Sequence, residues 1–389
     1  MADRLRGAIA AVGVGTAGGG EATGFTEMEI LSLAAAQALA EAGLRPADVD
    51  GLFTASVASA MWSLGVSEAL GIRPAFVDAT TVGGSSFVGH LQTAALAIDA
   101  GLCKVALVCY GSTQRTGGTG RAELARMRSM LDPLPYEAPY QPLNPPTSYA
   151  FAAARHMHEF GTTREQLAEV AVAARGWARL NPEAFMREPL TIADCLGARM
   201  VCDPLTVRDC CLVTDGAGAV VLVAADHAKQ LAVNPIYLLG VGTALSHRQI
   251  ASMPSLTTTA ALESGRRAFA MAGLAPADVD VLQLYDAFTI NPILFLEDLG
   301  FCAKGEGGAF VEGGRIAPGG SLAVNTNGGG LSCVHPGMYG LFTIVEAVRQ
   351  LGGTAGERQV ADARLAIAQG NGGELSHEAL LILGTGETL

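Results

Sequence analysis

The sequence predicts an α/β fold in which one strand–helix unit occurs twice, with a loop domain inserted into the first copy. Two observations carry this. "AGLRPADVDGL" (42–52) returns as "AGLAPADVDVL" (272–282), identical at nine of eleven positions and 230 residues later. "VGVGTA" (12–17) returns as "LGVGTA" (239–244), 227 residues later. Two matches in the same order at nearly one offset indicate duplication. In addition, short apolar runs ending in glycine alternate with segments of helical spacing, the pattern of a mostly parallel sheet. The halves are expected to span 1–230 and 231–389.

In the first half, "RGAIAAVGVGT" reads as a buried strand and "TEMEILSLAAAQALAEAGL" as a helix stopped by glycine. A strand in "GLFTASV", a helix in "SFVGHLQTAALAIDAG" and a strand in "LCKVALVCYGS" follow. The second half repeats the series with "NPIYLLGVGTA", "LESGRRAFAMAGL", "VLQLYDAF", "GMYGLFTIVEAVRQLGG" and "ARLAIAQGNGG". The surplus of the first half is a segment of about 112–208, holding the proline-rich "LDPLPYEAPYQPLNPPTSYA" and two helical runs. Insertions of this kind form lids or binding loops.

Composition narrows the function. Half of the 389 residues are hydrophobic and 16% are charged, enough apolar material for a large interior. The formal net charge is −12 and no basic run occurs, which excludes nucleic acid as the expected partner. Eight cysteines form no CxxC pair, so no metal site is expected, and reduced buried thiols in a cytoplasmic protein are the reading. The N-terminus lacks a signal-peptide pattern, and no apolar run reaches the roughly 18 residues of a membrane span.

The densest motif is "NTNGGGLSCVHPGMYG", Asn325 to Gly340. Three glycines in a row are costly to order, so the backbone there must need them. The helical "LFTIVEAVRQL" follows at once, so its first-turn N–H groups stand beside His335 and Tyr339, two side chains that handle protons.

With its duplicated halves, its insertion and the "GGGLSCVHPGMYG" stretch, the chain resembles the thiolase superfamily over its whole length. It is most similar to the sterol-carrier-protein-type thiolases and their relatives. The resemblance implies a five-layered αβαβα duplication with an inserted loop domain, a homodimer, and an active site where the central helices of the halves meet. It also implies departures. The nucleophilic cysteine of thiolases would fall near Gly84 and Ser85, and the acid/base cysteine at Gly370 or Asn371; neither sulfur is present. "YDAFT" (285–289) stands where thiolases carry Asn-Glu-Ala-Phe or His-Asp-Cys-Phe.

What the resemblance leaves is an enolate-stabilising site acting on an acyl-CoA thioester, with coenzyme A entering as part of the substrate and no bound cofactor. His335 would hold the thioester oxygen, and Tyr285 and Tyr339 would be acid and base, provided a cation or strong donors lower a phenol pKa near ~10. Gly329, Gly330, Gly372, Gly84 and Ser85 would form the loop around the thioester. Ser85 and Ser86 are expected to cap the central helix through their hydroxyls. Asp286 would point to the sheet edge, cap locally or orient Tyr285. His156 and His158, two apart on a helix, face different sides and are not expected to share a ligand.

The leading reading is retro-aldol cleavage of a β-hydroxyacyl-CoA without a covalent acyl-enzyme. One alternative is an acyltransferase using the displaced thiol of Cys333; another is a non-catalytic acyl-CoA-binding subunit. A zinc-ribbon/OB-fold accessory protein, giving a heterotetramer, is the partner the resemblance implies.

Overall fold

The computed structural model describes residues 2–57, 59, 61–117 and 136–389, so residues 131–135 of the proline-rich stretch lie outside the described residues. Five strands come from the first half: β1 (Ile9–Gly20), β2 (Gly51–Thr54), β3 (Phe76–Asp78), β4 (Val105–Ser112) and β5 (Asp215–Ala224). Five come from the second: β6 (Ile236–Leu245), β7 (Val281–Gln283), β8 (Ala323–Val324), β9 (Leu365–Gly372) and β10 (His377–Gly384). Their order is β8-β7-β9-β10-β6-β1-β5-β4-β2-β3, so each set has its first, fifth, fourth, second and third strands side by side. β1 and β6 meet at the junction through Ala10↔Tyr237 and Ala11↔Ile236.

The longer helices are α1 (Glu27–Glu41), α2 (Ser86–Asp99), α3 (Pro146–Phe160), α4 (Arg164–Arg179), α5 (Ala261–Ala272), α6 (Ile290–Asp298) and α7 (Gly340–Leu351). α2 and α7 touch each other and pack on strands of both halves, while α1 lies on the first set and α5 on the second. The result is a five-layered αβαβα arrangement with α2 and α7 in the middle. Every residue of α7 except Arg349 is buried, as a helix between two sheets requires.

Both sequence repeats have physical causes. A Cβ on Gly13 or Gly15 would lie 2.1 or 2.2 Å from the carbonyl oxygens of Ala38 and Ala34 in α1. Gly240 and Gly242 stand in the same relation to Ala268 and Ser264 of α5, at 2.2 Å each. The glycine pairs let a helix backbone lie directly on a strand. In the "PADVD" copies, Asp50 accepts from the backbone N–H groups of Lys104 and Val105, both at 2.8 Å, stitching β2 to β4. Asp280 does the same for Arg364 and Leu365 at 2.8 and 2.9 Å, stitching β7 to β9.

The insertion runs between β4 and β5 and carries α3, α4 and a ribbon of Met200–Cys202 with Leu205–Thr206. One face of α3 is fixed to the second half. His156, fully buried, bonds Glu297 of α6 at 2.9 Å and Thr162 at 2.7 Å, while His158 is exposed. Lys304 completes the cluster, 3.1 Å from Glu297 and 2.6 Å from Asp298. Among the described residues no helix is long and apolar enough to cross a membrane, and no group of three or more His, Cys, Asp or Glu is placed to hold a metal ion.

Candidate active site

Four chain ends converge on the seam between the halves: the starts of α2 and α7 and the ends of β7 and β9. They meet through glycines. A Cβ on Gly340 would lie 2.1 Å from the Gly84 carbonyl oxygen, and one on Gly370 2.8 Å from the Ser85 Cα. A Cβ on Gly84 would lie 2.2 Å from the Tyr285 ring and 2.4 Å from its hydroxyl oxygen. Tyr285 thus fills the space that any side chain at position 84 would need. "YDAF" was expected within a strand, but β7 ends at Gln283, which frees Tyr285 to turn toward α2. Its backbone N–H is held by Gln369 Oε1 at 2.9 Å.

The glycine triplet wraps a carboxyl group. Gly328 and Gly329 have φ of +102° and +64°, where side chains are strained. A Cβ on Gly329 would also sit 1.9 Å from Asp286 Oδ2. Asp286 accepts from the N–H of Gly330 at 2.6 Å and of Leu331 at 3.3 Å. Burial pushes its pKa up to about 7 against the pull of those two N–H groups. Asp286 therefore braces the glycine turn rather than orienting the Tyr285 hydroxyl.

That turn delivers His335. Its backbone is tied to Thr214, donating at 2.9 Å and accepting at 3.3 Å. Its ring lies edge-on to Tyr285, centroids 5.7 Å apart at 90°, and parallel to Tyr339 at 6.0 Å. Nε2 is buried without a hydrogen-bond partner among the described residues. Burial lowers the pKa to about 4, so the ring is a neutral imidazole at physiological pH.

The two phenols differ. Tyr339 donates its hydroxyl to Asn327 Oδ1 at 3.0 Å, so its hydrogen points away from the site. Its backbone N–H donates to the Tyr285 hydroxyl oxygen at 3.1 Å, while the Tyr285 hydrogen has no acceptor among the described residues. Burial raises both pKa values well above the ordinary phenol value. Among the described residues no cation lowers either, which speaks against an ionised tyrosine base at rest. Both are neutral donors.

His335, Tyr285, Tyr339, Gly84, Gly329 and Gly330 come together. Ser85 and Gly372 meet on the other side of the 82–85 turn, where a Cβ on Gly372 would lie 2.2 Å from the Ser85 Oγ. Neither serine caps α2. Ser85 Oγ bonds His377 Nδ1 at 2.9 Å, and Ser86 Oγ accepts from the Val82 N–H at 2.9 Å and donates to the Gly83 carbonyl at 2.6 Å. Cys333 forms no dyad with His335. Its Sγ is paired with Asn181 Nδ2 at 3.5 Å and lines a separate cavity of about 210 Å³ with Thr16, Asn327 and Arg349. Burial raises its pKa, as it raises that of Cys211, whose charge Tyr285 and Tyr149 would feel. Neither is an activated thiol.

Sequence reasoning missed Asn327, Gln369, Tyr149 and Cys211 as neighbours of the site. Asn327 lay inside the glycine motif and could have been found from its polarity there. Tyr149 is carried by the insertion, and nothing in its local sequence points to the seam.

Comparison with known proteins agrees with the fold. Residues 242–385 match the family model described as thiolase C-terminal domain-like. The chain is 34% identical to the 17-hydroxy-3-oxo-4-pregnene-20-carboxyl-CoA lyase of Mycobacterium tuberculosis, over 90% of this chain and 93% of that one. It is 32% identical to an acetyl-CoA acetyltransferase of Methanothermobacter thermautotrophicus, over 94% and 96%. The solved Ltp2-ChsH2(DUF35) aldolase superposes with a TM-score of 0.88 at 31% identity, covering 98% of each chain.

Proposed function

Because the chain belongs to the thiolase superfamily and has a phenol where a nucleophile's side chain would stand, we propose that it is a carbon–carbon lyase. It cleaves a β-hydroxyacyl-CoA by retro-aldol reaction, with no covalent acyl-enzyme. The observation that carries this is Tyr285 packed on side-chain-less Gly84. A relative named as a lyase and one named as an acetyltransferase are about equally similar, so the site has to decide between them. Acyl transfer through a displaced cysteine needs an activated thiol. Burial holds Cys333 and Cys211 as thiols, and neither bonds a histidine.

The neutral His335, in its Nε2–H tautomer, donates to the thioester oxygen as the enolate forms. Losing such a donor costs about 2.7–4 kcal/mol of transition-state stabilisation. Tyr285 works as a neutral shuttle. Its oxygen takes the β-hydroxyl proton while its own hydrogen passes to Cα. The Cα–Cβ bond breaks, the Cβ–O bond becomes a carbonyl, and the shorter acyl-CoA leaves with one new C–H bond. No phenolate is needed at rest, which suits the raised pKa. The Tyr339 N–H, 3.1 Å from the Tyr285 oxygen, steadies the charge that passes through it.

The solved relative contains a DUF35 component. By the same likeness this chain takes a DUF35-type accessory protein, of the zinc-ribbon/OB-fold kind, and forms a dimer of its own. The test is incubation of the chain, alone and with such a protein, with 17-hydroxy-3-oxo-4-pregnene-20-carboxyl-CoA, aliphatic β-hydroxyacyl-CoAs, and β-ketoacyl-CoAs plus CoA. A carbonyl product with a shorter acyl-CoA, and no mass added to the chain, is expected. Thiolysis of the β-ketoacyl-CoAs with an acyl adduct on the chain would overturn the proposal.

A further inference from the structure

We infer that Tyr110, on β4 of the first half, is the positioning residue that sets where the His335 ring and the Tyr339 N–H stand in the second half; this rests on the lyase reading of those two groups. The Tyr110 hydroxyl donates to the Pro336 carbonyl at 2.5 Å. Ser112 and the Met338 backbone also hydrogen-bond that oxygen. One phenol therefore holds the backbone on both sides of Gly337, whose φ of +89° reverses the chain. Tyr110 is 3% exposed, and burial raises its pKa above the ordinary phenol value, so it remains a neutral donor.

His335 and Tyr339 are joined by Pro336, Gly337 and Met338 alone. At one end Thr214 holds the His335 backbone, and at the other the Tyr339 N–H reaches the Tyr285 oxygen at 3.1 Å. Tyr110 bonds the turn between those anchors. The turn lies directly on β5, where a Cβ on Gly216 would come 2.9 Å from Val334 and 3.4 Å from Pro336. Gly216 pairs with Ser112, two residues beyond Tyr110 on β4. Tyr110 is itself kept in place by Phe87 of α2, ring centroids 5.0 Å apart. The second half's proton-handling groups are thus seated on strands of the first half.

His335 Nε2 has no partner among the described residues, so the aim of the ring follows from its backbone and from the flanking aromatic rings. A donor aimed at charge that forms only in the transition state lowers the barrier without tightening substrate binding. Slack in the turn should therefore be read in kcat and not in KM.

The test is Tyr110→Phe, which keeps the ring on Phe87 and removes the hydroxyl, assayed with 17-hydroxy-3-oxo-4-pregnene-20-carboxyl-CoA. kcat should fall about tenfold or more, as for a displaced catalytic group, with KM within about twofold. In a His335→Ala background the same change should cost less than about threefold, because the ring it positions is gone. An unchanged kcat, or a fall as large in that background as in wild type, overturns the assignment. If Tyr110→Phe does not fold, Gly337→Ala disturbs the turn at an exposed position, through its positive φ and a Cβ 2.8 Å from Gln114 Oε1. It should lower kcat with the same dependence on His335, and an unaltered kcat there likewise overturns the assignment. Histidine NMR separates this inference from the lyase reading. In Tyr110→Phe the His335 ring signal should move, while that of His156, bonded to Glu297 and Thr162, stays. An unmoved His335 signal sinks the Tyr110 role, whereas a moved signal in a chain that cleaves nothing sinks only the lyase reading.

Discussion

Tyr285 and Gly84 occupy one another's space: a single carbon added to Gly84 would come within 2.2 Å of the tyrosine ring. Gly84→Ala should therefore push the phenol aside. We expect at least a hundredfold loss of kcat, as for a misplaced catalytic group, and a stability loss of about 1–3 kcal/mol from overpacking. Steady-state kinetics and denaturant melts check both. An alanine variant with wild-type kcat would mean that the contact does not matter.

The phenols should separate on truncation. If Tyr285 shuttles the proton as proposed, Tyr285→Phe should lower kcat by about 10²–10⁴-fold. Tyr339→Phe loses the bond to Asn327 but keeps the backbone N–H on Tyr285, so the loss should be smaller, about tenfold. Equal losses in the two variants would count against the shuttle.

His335 is held neutral because burial lowers its pKa to about 4. The kcat profile should then show no inflection near 6.5, where an ordinary histidine titrates. Stability should behave differently. Below about pH 6.5 the unfolded chain takes up a proton that the folded one refuses, so stability falls as pH drops from there to about 4. His335→Ala should lower kcat by about 10²–10³-fold and remove that acid-side loss. A kcat inflection near 6.5 in wild type would contradict a neutral donor.

Among the described residues Glu378 is fully buried with no cation beside it and accepts from Gln369 at 2.5 Å, and burial raises its pKa well above the ordinary carboxyl value. The folded state keeps a proton that the unfolded state releases above about pH 4.5. Its contribution is thus intact below that pH and shrinks as pH rises, by about 1.4 kcal/mol per unit until the folded group ionises. Glu378→Gln keeps the acceptor for Gln369 and loses the proton. Its melting temperature should match wild type near pH 4.5 and exceed it progressively toward pH 8. A constant difference across that range would show that the carboxyl does not titrate on unfolding.

Cys333→Ala and Cys211→Ala should retain cleavage activity within a few-fold, and thiol alkylation should leave turnover intact, since burial holds both sulfurs as thiols. Loss of activity on labelling of either thiol would revive acyl transfer.

The chain alone determined its architecture, because the duplication rests on short-range necessities. Gly13 and Gly15 must admit α1 and Gly240 and Gly242 must admit α5, while Asp50 and Asp280 must stitch neighbouring strands, so the same words recur wherever the same contacts do. The glycine triplet and His335 were legible for the same reason: positive φ and a tight turn leave a local signature. Roles that depend on distant partners were not. Which phenol keeps a free hydrogen is decided by Asn327 and a backbone N–H; whether Cys333 has a base is decided by where the glycine turn sends its side chain. The place of Tyr149 depends on an insertion folding back onto Phe288 and Asn371. Burial is a property of the packed whole, and it is burial that holds the imidazole and both phenols neutral.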